Sequence, residues 1–255
     1  MALTLTPLRG IPLIQPGDDL PTMINAALAE TELKLQDGDI LVLAQKIVSK
    51  AEGRLVNLTT VTPGDRAMGY AEVTGKDPRL LELILSESRK VLRTREGLII
   101  VEHNLGFVSA NAGIDHSNVS GDWGYPEDWV LLLPENPDQS SANIRVALEI
   151  TYACRIGVQI IDSHGRAWRN GTVGTTIGLS GLPGLVDLRG ESDLFNYHLR
   201  ATLVGAADEL AAAASLMMGQ AAEATPVVHV RGFPYALREG SLQELIRPEE
   251  RDLFR

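Results

Sequence analysis

Short apolar runs constrain this chain most. They are Asp39-Ile-Leu-Val-Leu43, Leu98-Ile-Ile-Val101, Ile156-Gly-Val-Gln-Ile-Ile161 and Val227-Val-His-Val230. Each is too short for a core helix and reads as a strand, the first of them buried. Residues 3–7 alternate like a further strand, and Gly106–Ser109 suggests one more. Helical patterns lie between them. Asp18 or Asp19 suits an N-cap, with Pro21 in the first turn of a helix to about Ala29. Two more helices are expected near 64–73 and 78–88. Ser141 is read as the cap of a helix over 142–152, and an Ala- and Leu-rich helix is expected over 192–219. Residues 119–142 form a long irregular stretch, the kind that is usually functional or a lid. No internal repeat is visible. Strands and helices interleave irregularly, which favours an α+β architecture over a regular doubly wound sheet.

The chain has 255 residues, enough for one large domain or two intimately packed ones. The subdivision expected is 1–91 with 192–255 as one α+β subdomain and 92–191 as the other. A formal net charge of −10 argues against general attraction to nucleic acid or an acidic membrane. The single cysteine, Cys154, excludes an intrachain disulfide and reads as a buried core thiol in a reducing compartment. The N-terminus lacks the features of a signal peptide, and no apolar run reaches the roughly 18–20 residues that span a bilayer. A cytoplasmic protein is expected.

Two polar clusters sit beside the apolar runs. One is Asn111-Ala-Gly-Ile-Asp-His-Ser-Asn118, the other Asp162-Ser-His-Gly-Arg166. Each offers a carboxylate and a neutral oxygen, a set that holds a hard divalent cation and, through it, phosphate. Singly, each reads more readily as an Asx turn or a strand-ending turn. Lys46 and Lys50, four apart, share a face if their segment is helical. They then either address phosphates as point charges or form a solvated basic edge. Arg166 and Arg169 read equally well as structural ion-pair partners or as a phosphate clamp. The run Gly171-Thr-Val-Gly-Thr-Thr-Ile-Gly-Leu-Ser-Gly181 is neither a P-loop nor a nucleophile elbow. It reads as a tight turn region or a close approach to a ligand or another chain. The histidines at 103, 116, 164, 198 and 229 have no zinc spacing. His116 and His164 are read as exposed groups or neighbours of ligands.

In their joint order, the motifs resemble the coenzyme F-420-0:L-glutamate ligases. The matching stretches are Gly10-Ile-Pro-Leu-Ile14 with Gly17-Asp-Asp-Leu20, Ile47-Val-Ser-Lys-Ala-Glu-Gly-Arg54, Asn111-Ala-Gly-Ile-Asp115 with Ser117-Asn118, and Asp162 with Gly165-Arg166. Gly171-Thr-Val-Gly174, Ile177-Gly-Leu-Ser-Gly181, Ala207-Asp-Glu209, Met218-Gly219 and Val230-Arg-Gly232 continue the series over nearly the whole chain.

The resemblance implies a GTP-dependent ligase that adds L-glutamate to the carboxylate of a deazaflavin precursor and extends it by γ-glutamyl links. It implies nucleotide contacts at Ile11, Pro12, Leu13 and Ile14, at Gln45, Lys46, Lys50 and Asn118, and along Met218, Gly219, Gln220, Ala221, Ala222, Glu223, Ala224 and Thr225. It places metal at Asp115, Asp162, Ser163 and Gln220, and Lys50, Asp115 and Asp162 as the catalytic set. The cofactors implied are magnesium or manganese, with a monovalent cation such as potassium as a further candidate. The fold implied is two packed α+β parts in an intertwined homodimer. Family members often carry Ser-Thr at Gln45-Lys46, Thr-Asn at Ser163-His164 and Glu at Gln220. Ser163 and Gln220 each keep an oxygen ligand, but one carboxylate is lost, which lowers the ligand charge. Two other readings stay open: an amide ligase for a different carboxylate, and a non-catalytic nucleotide- or cofactor-binding protein.

Overall fold

A computed structural model of the chain describes residues 2–253. The elements run β1 (Thr4–Pro7), α1 (Leu20–Glu30), β2 (Ile40–Ala44), α2 (Gln45–Ala51), β3 (Leu55–Asn57), α3 (Asp65–Thr74) and α4 (Pro78–Ser86). There follow β4 (Ser88–Arg95), β5 (Leu98–His103), β6 (Val108–Ala110), β7 (Trp129–Leu131), α5 (Pro137–Tyr152), β8 (Gly157–Arg166) and β9 (Arg169–Ser180). The last are β10 (Val186–Asp187), β11 (Leu203–Val204), α6 (Ala206–Met218) and β12 (Val227–Arg231). The architecture is mixed α+β.

Its centre is a five-stranded sheet in the order β1-β12-β2-β8-β9. Only β2 and β8 run parallel; the other pairs are antiparallel. Alternation along β2 divides its side chains between the two faces. Leu41 and Leu43 join Ile144 and Leu148 of α5 and Ile24 and Leu28 of α1 in one apolar cluster. Ile40 and Val42 join Leu210, Ala211 and Ala214 of α6 in another. A third cluster lies between α3, α4 and the small sheet β4-β5-β6. β8 and β9, from 92–191, thus share a sheet with β1, β2 and β12 from outside that span.

Several sequence-based boundaries move. The helix expected over 142–152 begins at Pro137. Asn136 caps it, its side chain accepting the Gln139 N–H at 3.1 Å, while Ser141 Oγ turns back to Pro137 O. The helix expected from 192 begins at Ala206 behind Gly205. Residues 188–202 instead double back on themselves, with Leu188 N–H donating to Thr202 O and Gly190 N–H to Leu199 O. At the tip, Asp193 Oδ1 accepts the N–H groups of Phe195 and Tyr197, a local bond that competes with helix. Asp19 caps α1 by position, but its carboxylate accepts from Thr22 Oγ1 and not from a backbone N–H. Cys154 is partly exposed at the edge of the first cluster, not fully buried.

The glycine-rich segment is strand β9 rather than a tight turn, and two of its glycines closely approach helices of this chain. A Cβ on Gly174 would lie 2.5 Å from Ala211 O of α6, and one on Gly178 would lie 2.4 Å from the Pro137 carbonyl carbon of α5. A register shift between Ile160 and Ile161 separates the two positions, so they meet helices on opposite faces.

At one end of β2, Asp39 is 1% exposed. Arg231 donates to both its oxygens, at 2.8 and 2.7 Å, and His229 Nε2 stands 2.9 Å away. Burial alone would raise the carboxyl, but Arg231 and His229 outweigh it and hold the pKa at about 2. A depressed acid contributes stability above its unfolded pKa of 3.8 and loses it as pH falls towards 2. The contribution is about 2 kcal/mol. Asp39→Asn should lose about 3 kcal/mol at neutral pH, since it takes the carboxylate from the half-buried Arg231 and the buried His229. It should also show a flatter fall in stability between pH 4 and 2 than the parent, as read by urea unfolding across pH.

Candidate functional site

A cavity of ≈ 870 Å³ opens where the chain leaves β2 and enters α2. Five separated segments wall it: 11–15, 44–55, 109–120, 161–165 and 215–226. β2 passes into α2 without a loop, so Gln45, Lys46 and Lys50 project from a rigid start. Gln45 is 1% exposed, and its Nε2 donates to Asp115 Oδ2 at 2.6 Å while Ser49 Oγ fixes its Oε1 at 2.8 Å. Lys46 Nζ donates to Ser117 O and Oγ at 3.0 and 2.7 Å and lies 3.5 Å from Asp115 Oδ1. Lys50 Nζ donates to Asn118 O at 2.8 Å. Burial, then the charge of Lys46, lowers the Lys50 pKa. Asn118 Nδ2 reaches Ala221 O at 3.2 Å. Two lysines therefore clasp the 115–118 turn to α2, and Asn118 ties that turn to the 219–225 loop.

The second polar cluster is not a strand-ending turn. Asp162 and Ser163 lie within β8, paired with Thr175 and Gly174 of β9. His164 Nε2 stands 3.0 Å from Asp162 Oδ2. Ser163 Oγ donates to Gln220 Oε1 at 2.9 Å, and Gln220 Nε2 donates to Ser215 Oγ at 3.0 Å. The Asp115 carboxyl is pushed up to about 6, first by burial and then by the charge of Asp162, against the opposing pull of Lys46 and Gln45. The two clusters thus face one cavity.

The donors available to a cation are two carboxylates, a hydroxyl and an amide oxygen, all hard oxygen ligands. Among the described residues no three His, Cys, Asp or Glu converge. A cation here would rest on Asp115 and Asp162 with neutral oxygens, and share the rest of its shell with a ligand's phosphates or water, as magnesium commonly does. The raised Asp115 carboxyl, buried near the charge of Asp162, fits a site that gains from such a cation.

Every residue named above as a nucleotide, metal or catalytic position lines this cavity, from Ile11 to Thr225. Leu13 is largely exposed at its rim, whereas Ile14 and Met218 also belong to apolar clusters. Arg166 and Arg169 do not line it, and Arg166 turns to Gly171 O within its own hairpin. His116 is exposed and also lies outside the lining. Of 119–142, Val119 and Ser120 touch the cavity. Further along, the indole of Trp129 donates to Trp123 O at 2.7 Å, and β7 pairs with β3. Ser109 and Ser215 line the cavity too and escaped the sequence reading, and Asn111, named there only as part of the first polar cluster, lines it as well. Only the expected strand at 106–109 hinted at Ser109.

The family model described as F420-0:Gamma-glutamyl ligase matches residues 10–232. The chain is 45% identical to a coenzyme F420:L-glutamate ligase of Methanothermobacter thermautotrophicus, covering all of both chains. It is 43% identical to the protein of that name from Methanopyrus kandleri, over 95% of this chain and 93% of the other. A third of the same name, from Methanocaldococcus jannaschii, is 39% identical over 96% and 94%.

Proposed function

The chain belongs to the F420-0:gamma-glutamyl ligase family, and from that premise we propose that it joins L-glutamate to the carboxylate of a deazaflavin precursor by an amide bond, using GTP. The observation that carries the reading is the coupling of Asp115 to Asp162 in a cavity that also holds Lys46 and Lys50.

A carboxylate is a poor electrophile and must be activated before an amine attacks. In the proposed course, a carboxylate oxygen of the precursor attacks the γ-phosphorus and the nucleoside diphosphate leaves, giving an acyl phosphate. The glutamate amine then attacks the carbonyl carbon, phosphate departs with the C–O electron pair, and the nitrogen loses a proton. Lys46 and Lys50 would draw the phosphates to the α2 side and offset their charge. Asn118 and the 218–225 loop would close over the nucleotide, and 11–14 would flank it. Gln45 orients Asp115, and His164 lies against Asp162. A magnesium or manganese ion held by Asp115, Asp162, Ser163 and Gln220 would neutralise phosphate charge as the transition state forms. Without it, the same carboxylates would repel the nucleotide.

The test is incubation of the purified chain with L-glutamate, the deazaflavin precursor, magnesium or manganese, and either GTP or ATP, with and without potassium. Mass spectrometry should show the precursor gaining glutamate, with one nucleoside diphosphate released per bond. Nucleotide bound but no product from this or any other carboxylate would sink the enzymatic reading. The proposal includes a homodimer, supported by the exposed Leu194, Phe195 and Tyr197 on the 188–202 hairpin. A monomer mass by light scattering would reject that part.

A further inference from the structure

Three polar atoms of residues lining the cavity have no hydrogen-bond partner: His164 Nε2, which stands beside Asp162, and two oxygens outside the nucleotide and metal set. Ser109 is 7% exposed, in the middle of β6, where it faces inward between the exposed Val108 and Ala110. Its Oγ is buried without a hydrogen bond. Asn111 follows two residues later, and its Oδ1 is buried and unpartnered as well. Both residues line the cavity. Buried polar groups in proteins are nearly always satisfied, so such atoms at a binding cavity point to a missing ligand group.

The backbone adds a second observation. Asn111, Ala112 and Gly113 carry φ of 52°, 53° and 68° in succession. Left-handed backbone at a buried alanine costs energy, and the fold keeps it here. This turn brings Asn111 to the wall beside Asp115, while β6 lies alongside β8, which carries Asp162.

The cations that line the cavity, Lys46 and Lys50, project from α2. The sector of Ser109 and Asn111 instead pairs neutral oxygens with the carboxylates of Asp115 and Asp162. Ser109 Oγ both donates and accepts while Asn111 Oδ1 only accepts, so beside two carboxylates the pair suits N–H donors better than an anion that no cation shields. A group rich in N–H donors gains from all of them. We infer that Ser109 and Asn111 bind the amino group of the amino-acid substrate and present it to the activated carboxyl group. The inference rests on the proposed function, because it names the place of the second substrate in that same cavity.

The two substitutions of choice leave the fold alone. Ser109→Ala deletes an oxygen that has no partner, so the melting temperature of the free protein should hold or rise. Asn111→Gly keeps the left-handed backbone that glycine adopts freely. In each variant the KM for L-glutamate should rise tenfold or more, with the KM for GTP within twofold of the parent. Hydroxylamine at high concentration traps an acyl phosphate as a hydroxamate, and that rate should stay within twofold. Glutarate, which has both carboxylates and no amine, should inhibit parent and variants equally. An unchanged KM for glutamate, loss of the hydroxamate, or weaker inhibition by glutarate would each overturn the assignment. Calorimetric titration of glutamate into the protein reads the same point without turnover. Binding should weaken tenfold in the double variant, and undiminished binding, or none to the parent, rejects the subsite. A parent that binds glutamate but makes neither hydroxamate nor amide instead brings down the proposed function.

Discussion

Asp162→Asn and Asp115→Asn are each expected to lower ligation by about a thousandfold, equivalent to roughly 4 kcal/mol of transition-state stabilisation. The size follows from what the carboxylates are proposed to hold, since charge neutralisation on transferring phosphates contributes several kcal/mol. The accompanying expectation separates this from misfolding. Burial and the charge of Asp162 push the Asp115 carboxyl up to about 6, so the metal-free protein carries an unfavourable pair. Removing one charge relieves it, and the melting temperature without metal should stay level or rise. Adding manganese should raise the melting temperature of the parent and leave both variants unmoved. Near-parental turnover in either folded variant would refute the metal assignment. Gln220→Glu should leave the fold intact and tighten manganese binding in the same assay, because it adds a carboxylate beside Ser163.

Gly178→Val is expected to have the largest effect on stability, more than about 3 kcal/mol and roughly 10 °C in melting temperature. The added Cβ would meet the backbone carbonyl carbon of Pro137 at 2.4 Å, and no rotamer change relieves a backbone contact. Nor can α5 retreat. Asp138 Oδ1 accepts the Leu179 N–H at 2.8 Å and both Asp138 oxygens face the Leu242 N–H, which locks the helix start to β9. Gly69→Ala makes a control. It lies on exposed α3 with nothing within 4 Å, and the helix should gain up to about 1 kcal/mol. A Gly178→Val protein with parental stability would show that the close approach of β9 and α5 is not required.

Gly174 and Gly178 show where the sequence was hard to read. β2, β5, β8 and β12 announce themselves as apolar runs, because each buries at least one face and β2 nearly every position. β9 is as central to the packing, yet its glycines and threonines have the composition of a turn. Its glycines answer to helices from elsewhere in the chain, and no local pattern carries that. β4 was hidden by its charges, since Arg89, Lys90, Arg93 and Arg95 all stand on exposed positions. The start of α5 was legible in Asn136-Pro137, a cap followed by a first-turn proline, and Ser141 drew attention away from it. At the site, Asp115 and Asp162 were legible as residue types and as members of an ordered series. The bond from Gln45 to Asp115 spans 70 positions and could come only from the fold. Ser109 became visible only through what it fails to touch, whereas Asn111 stood in a cluster the sequence already marked.

The order of strands across the central sheet bears on how the chain is made. β12 lies between β1 and β2, so residues 4–7 leave the ribosome long before their strand partner at 228–231. A nascent chain therefore holds an unpaired leading strand through most of synthesis. The 219–225 wall of the cavity arrives at the same late moment. Strands that must wait for distant partners fold slowly and expose edges that invite aggregation. A ribosome stalled before codon 227 would hold a chain with most of its helices made, half its sheet open and no closed pocket.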